Sequence, residues 1–264
     1  MLVAGVDVGS VAAKAVIFHT GERKTVGTGI LPTGWNAREA GVAVLETALA
    51  EAGADKEALV RIVGTGYGRV SLPFADKNVT EITCHARGAA YLFPGTGIVL
   101  DIGGQDSKVI SIDARAESGR PGMVRDFIMN DKCAAGTGRF LQVLSGILDM
   151  PLDELGRAAA RGAPASISSM CAVFAETEIV GLLASGTAPE DIAAGVYLSI
   201  VRRMCGLAKR IPMHGECTFS GGLANTPAFC GMLSRELGVP VNVPQAPQTT
   251  GALGAALIAA DMCQ

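Results

Sequence analysis

The sequence has few of the features that mark several common classes of protein. Of its 264 residues, three are histidines and one is a tryptophan, and aromatic residues make up only 5%. The net charge is −3 and the pI is about 5.7, so the chain lacks the basic surface that favours nucleic-acid binding, and we expect no nucleic-acid partner. No apolar run reaches the ~18 residues of a membrane span, so we expect no membrane insertion either.

The sequence also lacks the marks of secretion. Its start, MLVAGVDVGS, has no basic residues ahead of the apolar ones and soon reaches Asp7, so we interpret it as a first β-strand rather than a signal peptide. Seven cysteines without a secretion signal favour reduced thiols over a disulfide framework, which predicts a cytoplasmic protein. No two of these cysteines form a C-x-x-C pair.

What the chain does contain is an internal duplication. LVAGVDVGSVAAKAVIF and GIVLDIGGQDSKVISID each combine an apolar strand, a D-x-G turn, a returning strand and a lysine. The matching residues are Asp7, Gly9 and Lys14 in the first copy and Asp101, Gly103 and Lys108 in the second. This pattern predicts an α/β protein of two related domains. We place residues 1–95 and 250–264 in the first and residues 96–249, which include Cys133 and Cys171, in the second.

Apolar periodicity predicts the remaining elements. We expect a third strand after GERK, another over ALVRIVGTGYG, and a strand, a double-glycine turn and a helix over CTFSGGLANTPAFCGMLSREL. The predicted helices cover residues 36–53, 81–93, 134–148, 152–161, 172–185 and 189–210, and a last helix begins near Thr249.

The two D-x-G turns predict a pair of phosphate-binding loops. Such a turn between antiparallel strands presents backbone N–H groups to a phosphate, and its aspartate can hold hydrated Mg²⁺ or orient water. A single D-x-G turn is usually only a turn, but two in duplicated context predict ATP binding. Asp7, Asp101 and Gln105 are the candidate catalytic residues. For Lys14 and Lys108 two alternatives are open: each either adds positive charge next to the phosphates or is solvated. The candidate contacts to ATP and Mg²⁺ in these loops are Gly9, Ser10, Val11, Ala12, Lys14, Gly103, Gly104 and Asp106.

The segment FSGGLANTPAF is a second candidate nucleotide contact. Gly221 and Gly222 stand between a predicted strand and a helix start, where a purine or ribose could lie against bare backbone. Asn225 and Gln248 are candidate contacts to the edge of the base. The alternative, that the glycines only let the helix approach the sheet, remains open.

Two cysteines differ from the other five. Cys84, Cys205, Cys217, Cys230 and Cys263 fall within apolar or strand patterns, where free cysteine is a small buried hydrophobe. Cys133 and Cys171 each follow a polar stretch and open a predicted helix, whose N-terminus stabilises a thiolate. Their spacing alone leaves open whether they are iron–sulfur ligands or inert thiols.

Motifs along nearly the whole chain resemble one family. GVDVGSVAAK, VGTGYGR, ADKNVTEITCHARGA, DIGGQDSKVI, MNDKCAAGTGRF, SSMCAVFAETE, SGGLANTPAF and QTTGALGAAL are similar, in this order, to the activator component of 2-hydroxyacyl-CoA dehydratases. The same superfamily includes the ATP-binding subunits of benzoyl-CoA reductases. The resemblance implies an actin/Hsp70/sugar-kinase (ASKHA) fold with a nucleotide cleft, and a homodimer that shares one [4Fe–4S] cluster. Cys133 and Cys171 of each chain would be its ligands.

The resemblance also implies an activity, an ATPase coupled to single-electron transfer. A ferredoxin or flavodoxin would reduce the cluster, and ATP binding and hydrolysis with Mg²⁺, leaving ADP, would drive the electron at low potential to the dehydratase partner. Two positions depart from the family pattern: Val11 stands where a hydroxyl residue is usual, and Asn225 where glutamine can occur. The alternatives are an ATP-binding subunit of a benzoyl-CoA-reductase-type complex, a small-molecule kinase of the same fold, and an actin-like polymer or nucleotide switch.

Overall fold

The structure is a computed structural model that describes residues 1–113, 121–168 and 171–263. It is an α/β fold built on two five-stranded sheets. The chain forms two compact units. Unit 1 comprises Met1–Val99, Ile110–Phe127 and Pro244–Gln264, and unit 2 comprises Leu100–Val109 and Ile128–Val243. The domain boundaries given above stay a prediction.

The first sheet is buried on both faces. Its strands are β1 (Leu2–Val8), β2 (Ala12–His19), β3 (Lys24–Pro32), β4 (Leu59–Thr65) and β5 (Lys77–Asn78), in the order β3-β2-β1-β4-β5. Successive residues of β1 serve opposite faces: Ala4 and Val6 pack with Val44, whereas Val3 packs with Ala252 and Ala255. This two-sided burial explains why the first strand reads as a continuous apolar run.

The second sheet repeats the order of the first. Its strands are β6 (Thr96–Ile102), β7 (Ser107–Asp113), β8 (Met123–Asn130), β9 (Glu216–Gly221) and β10 (Val241–Asn242), in the order β10-β9-β6-β7-β8. Numbered within each copy, both sheets run 3-2-1-4-5. The predicted duplication is therefore confirmed, and it extends from the hairpins to the whole sheets. Strand β8 has no counterpart among the predicted elements because most of its residues are exposed, which leaves no apolar alternation.

Eight α-helices complete the described part of the fold. They are α1 (Ala37–Ala52), α2 (Glu81–Leu92), α3 (Gly138–Leu148), α4 (Leu152–Arg161), α5 (Ala172–Ala184), α6 (Pro189–Ala208), α7 (Pro227–Leu237) and α8 (Thr250–Asp261). Helix α1 begins after Asn36, whose side chain caps it, and ends at Gly53 in the left-handed conformation. Within the residues that the structure describes, no helix is both long and apolar enough to cross a bilayer.

One predicted helix begins later than expected. The helix predicted over residues 134–148 is a 3-10 turn at Ala134–Gly136 followed by α3. Thr137 separates the two because its backbone is extended, with φ −135° and ψ 170°. Its hydroxyl donates to the carbonyl of Ala134 at 2.8 Å, which closes the turn.

Candidate functional site

The first D-x-G turn holds its aspartate next to a lysine. Asp7 and Lys14 face each other across β1 and β2, and Lys14 Nζ lies 3.1 Å from Asp7 Oδ2. The N–H of Gly9 donates to the carbonyl of Ala12 at 3.0 Å, which closes the turn. The carboxylate is buried, although it lies at the end of a strand.

The second turn repeats this geometry in unit 2. Lys108 Nζ lies 3.1 Å from Asp101 Oδ2, and the N–H of Gly103 donates to the carbonyl of Asp106 at 2.9 Å. Lys108 also contacts Asp106 Oδ1 at 2.9 Å, and its side chain is only 3% exposed. The alternative that these lysines are solvated is therefore wrong, since Lys14 and Lys108 both pair with the aspartate of their own turn.

The double-glycine turn lies against Asp101. Ser220, the residue before the glycines, donates from its hydroxyl to Asp101 Oδ1 at 2.8 Å. Gly221 has φ +93°, and a Cβ there would overlap the carbonyl of Ile102 and lie 3.1 Å from Asp101 Oδ1. Close backbone approach therefore accounts for Gly221. The 3-10 turn Gly222–Asn225 follows directly, with Asn225 exposed at its end.

Two further glycines enclose Asp7 in unit 1. A Cβ on Gly66, which has φ +84°, would overlap Asp7 Oδ1. A Cβ on Gly251 would lie 3.1 Å from Asp7 Oδ2. Gln248 is half-buried in the turn just before Gly251. Sequence reasoning gave Gly66 and Gly251 no role, although both lie within motifs that carried the resemblance, VGTGYGR and QTTGALGAAL.

Thr33 fixes the first loop where a loop hydroxyl is missing. Its hydroxyl donates to the carbonyl of Gly9 at 2.8 Å, and its N–H donates to the carbonyl of Val11 at 2.9 Å. Gly9, Ser10, Val11 and Ala12 are each partly exposed. The backbone of Val11 therefore takes part in holding the loop.

The second loop is joined to helix α3. The N–H groups of Gly138 and Arg139, at the start of α3, donate to the carbonyls of Gly103 and Gly104, each at 2.9 Å. A Cβ on Gly138 would lie 3.2 Å from Gly103 O, so glycine allows the close approach. Gln105, at the tip of this loop, is exposed. The second loop is therefore in direct hydrogen-bond contact with the helix that follows Cys133.

The two candidate cluster cysteines are accessible, unlike most of the others. Cys171 is exposed at the N-cap of α5, and Cys133 is half-buried. The prediction that Cys133 opens an α-helix is wrong: it caps the 3-10 turn, one turn before α3. Asn130 holds Cys133 at both ends, accepting from its N–H at 3.2 Å and donating to its carbonyl at 2.9 Å. Helix α3 packs against α5, so the segments after the two cysteines are neighbours in unit 2.

Four of the five remaining cysteines have the chemistry of buried thiols. Burial raises the pKa of Cys84 and of Cys217 to about 12, and it also raises the pKa of Cys205 and of Cys230. In the ranges 1–113, 121–168 and 171–263, no three or more histidine, cysteine or acidic side chains form a group that could hold a metal ion. The prediction that Cys133 and Cys171 are cluster ligands stays a prediction.

Comparison with known proteins places the chain in a family. The model of the BadF/BadG/BcrA/BcrD ATPase family matches residues 4–259, nearly the whole sequence. The chain belongs to this ATPase family. The two duplicated hairpins with their Asp–Lys pairs are therefore features of an ATPase.

Two named relatives represent the two kinds of protein that the motifs resemble, dehydratase activators and benzoyl-CoA reductase subunits. The chain is 40% identical to the 2-hydroxyisocaproyl-CoA dehydratase activator of Clostridioides difficile over 266 residues, which cover 99% of this chain and 96% of the relative. It is 32% identical to one of the subunits of the benzoyl-CoA reductase of Thauera aromatica, over 97% of this chain and 92% of the relative. The predicted resemblance is confirmed for both branches.

Solved structures agree with the family and the fold. The activator of the 2-hydroxyisocaproyl-CoA dehydratase from Clostridium difficile, with bound ADPNP, superposes with a TM-score of 0.91 at 40% identity and covers 99% of this chain and 95% of its own. A ROK-family glucokinase from Streptomyces griseus has a TM-score of 0.59 at 15% identity, over 99% of this chain and all of its own, which shows the fold alone. The ASKHA fold class predicted from the motifs is confirmed.

Proposed function

We propose that the chain is the ATP-driven, single-electron activator of a 2-hydroxyacyl-CoA dehydratase, working as a homodimer. The hydrogen bonds between the second loop and α3 carry this proposal. They join a candidate phosphate loop, through Gly103 and Gly104, to the helix that follows a candidate redox cysteine. A nucleotide switch or a kinase would leave the accessible thiols of Cys133 and Cys171 without a role.

At the nucleotide site, side chains and loops of this chain would bind ATP and Mg²⁺ and orient the attacking water. We assign Asp7 and Asp101 to the hydrated Mg²⁺ and the attacking water, because each carboxylate is held next to a lysine at the end of a strand. Gln105, exposed at the loop tip, would orient water or the γ-phosphate. The remaining contacts to ATP are assigned to Gly9, Ser10, Val11, Ala12, Lys14, Gly103, Gly104, Asp106, Gly221, Gly222, Asn225 and Gln248.

At the redox end, Cys133 and Cys171 would hold a [4Fe–4S] cluster together with the same pair from a second chain. A bound cluster supplies a centre that accepts and releases one electron. Cys171 lies at the N-cap of α5, at the positive end of the helix dipole. Asn130 holds the backbone of Cys133 through two hydrogen bonds, so it would place this ligand at the site.

The names of the relatives support a 2-hydroxyacyl-CoA dehydratase as the partner that receives the electron. A ferredoxin or flavodoxin would provide the electron. The identity to the Thauera aromatica reductase protein keeps a benzoyl-CoA-reductase-type partner as the second candidate. Reconstitution with each type of partner distinguishes them.

Anaerobic purification tests the redox half of the proposal. We expect a brown dimer with about four irons per two chains. Cys133→Ala and Cys171→Ala should each lose the iron, whereas Cys230→Ala should keep it, because Cys230 lies within α7 and its thiol donates to the carbonyl of Ala224. A colourless, iron-free dimer with full ATPase activity, or equal iron in all three variants, would contradict the proposal.

A further inference from the structure

The two duplicated aspartates are held by different neighbours. In unit 2 both oxygens of Asp101 have a side-chain donor: Ser220 Oγ lies 2.8 Å from Oδ1 and Lys108 Nζ lies 3.1 Å from Oδ2. In unit 1 the lysine is kept, and Lys14 Nζ lies 3.1 Å from Asp7 Oδ2. The residue in the place of Ser220 is Thr65 at the end of β4, and no hydrogen bond joins its buried hydroxyl to Asp7 in the described part of the chain. The first copy must orient its aspartate in another way.

A buried histidine lies beside Asp7. His85, on α2, is only 6% exposed. The point where a Cβ of Gly251 would stand is 2.9 Å from His85 Nε2 and 3.1 Å from Asp7 Oδ2, so the imidazole and the carboxylate flank the same small space. Glycine at position 251 is what lets both groups reach that space.

Further glycines bring His85 to this position. Helices α2 and α8 pack backbone against backbone, since a Cβ on Gly88 would overlap the carbonyl of Thr250 and one on Gly254 would overlap the carbonyl of Cys84. The residue after Cys84 is His85 itself, so the close packing fixes the histidine relative to Asp7.

We infer that His85 is a positioning residue for Asp7, in the role that Ser220 has for Asp101. A buried imidazole is a donor that can hold one carboxylate rotamer, as the serine hydroxyl does in the second copy. The inference rests on the proposed function, in which Asp7 acts on Mg²⁺ and the attacking water. His85 then acts on ATP hydrolysis only through Asp7, so its loss should lower kcat and leave KM nearly unchanged.

Steady-state ATP hydrolysis by the intact dimer tests the inference. We expect His85→Ala to lower kcat about 10- to 100-fold, the range for losing a hydrogen bond to a charged group, with KM changed less than about threefold. His85→Gln offers an amide donor and should recover most of the activity. His19→Gln, a histidine change at the surface of the same unit, is the control. Equal activities of His85→Ala and His85→Gln, or a rise in KM alone, would overturn the inference.

A glycine variant tests the same contact without removing the histidine. Gly251→Ala places a methyl group 2.9 Å from His85 Nε2 and 3.1 Å from Asp7 Oδ2, so it should also lower kcat about tenfold. Gly231→Ala, in α7, has nothing within 4 Å and should behave like the wild type. If His85→Ala does not fold, the kcat values of His85→Gln and Gly251→Ala test the role of His85 instead. A Gly251→Ala protein as active as Gly231→Ala would overturn the inference.

The proposed function can fail separately. If Asp7→Asn hydrolyses ATP like the wild type, the role of Asp7 is wrong whatever His85 does. If Asp7→Asn is inactive and His85→Ala is fully active, only the role of His85 is wrong.

Discussion

Gly138→Ala should uncouple the nucleotide loop from the cysteine segment. The new methyl group would stand 3.2 Å from Gly103 O, closer than an ordinary van der Waals contact, so the loop and α3 must move apart. That movement stretches two hydrogen bonds of 2.9 Å, from Gly138 to Gly103 and from Arg139 to Gly104. Gly146→Ala, in the same helix, is the matched control because nothing lies within 4 Å of its new Cβ.

The magnitude follows from these contacts. Two backbone hydrogen bonds contribute about 1–3 kcal/mol together. Alanine stabilises an exposed helical position by about 1 kcal/mol relative to glycine, so Gly146→Ala should raise the free energy of unfolding by about that amount. Gly138→Ala should lower it instead. If these two hydrogen bonds transmit the effect of MgATP to the cysteine segment, their loss should reduce that effect on the rate of iron release by about 5- to 150-fold.

Iron chelation under anaerobic conditions measures this coupling without a partner enzyme. The quantity measured is a ratio: the rate at which a chelator removes iron in the presence of MgATP, divided by the rate in its absence. We expect this ratio to differ clearly from one in the wild type and in Gly146→Ala, and to approach one in Gly138→Ala. The same ratio in all three proteins would refute the role of the loop–helix link.

Three further changes have definite expected outcomes. Lys108→Met leaves the carboxylate of Asp101 buried without its cation, so urea unfolding should show a loss of about 3–5 kcal/mol; no loss would show that the pair is dispensable. Asn130→Ala removes both side-chain hydrogen bonds to the backbone of Cys133, so iron should be lost faster on dilution than from the wild type. An unchanged rate of iron loss would contradict this role of Asn130. Burial raises the pKa of Cys84 from 9.0 to about 12, so the folded state holds this proton more tightly and stability falls as pH rises through that window. Cys84→Ala should therefore flatten the fall by about 1.4 kcal/mol per pH unit in chemical unfolding, and parallel curves would refute it.

The fold is predictable where its signals are local. The D-x-G turn and its lysine lie within one hairpin, so the repeat at Asp7 and Asp101 is visible in the sequence and the structure confirms it. Strand β8 is not predictable, because an exposed strand has no apolar alternation. The late start of α3 depends on Thr137, whose extended backbone interrupts a run of small residues that reads as continuous helix.

The candidate site is predictable only in part, because its supporting residues come from distant segments. Ser220 lies 119 residues from Asp101, with which it forms a hydrogen bond, and no spacing rule connects them. Gly251 and His85 meet at Asp7 only after α2 and α8 have packed. The polar residues before Cys133 and Cys171 distinguish these two in the sequence, and their accessibility separates them from Cys84, Cys205 and Cys217 in the structure.

ATP-dependent electron delivery tests the central claim most directly. The chain is reduced with dithionite, freed of the reductant and mixed anaerobically with a purified 2-hydroxyacyl-CoA dehydratase, with MgATP or without it. Oxidation of the chain is followed optically, and ATP hydrolysis is measured in the same sample. We predict that the chain is oxidised only with MgATP, and that Cys171→Ala hydrolyses ATP but delivers no electron. Delivery without ATP, or delivery by Cys171→Ala, would contradict the account.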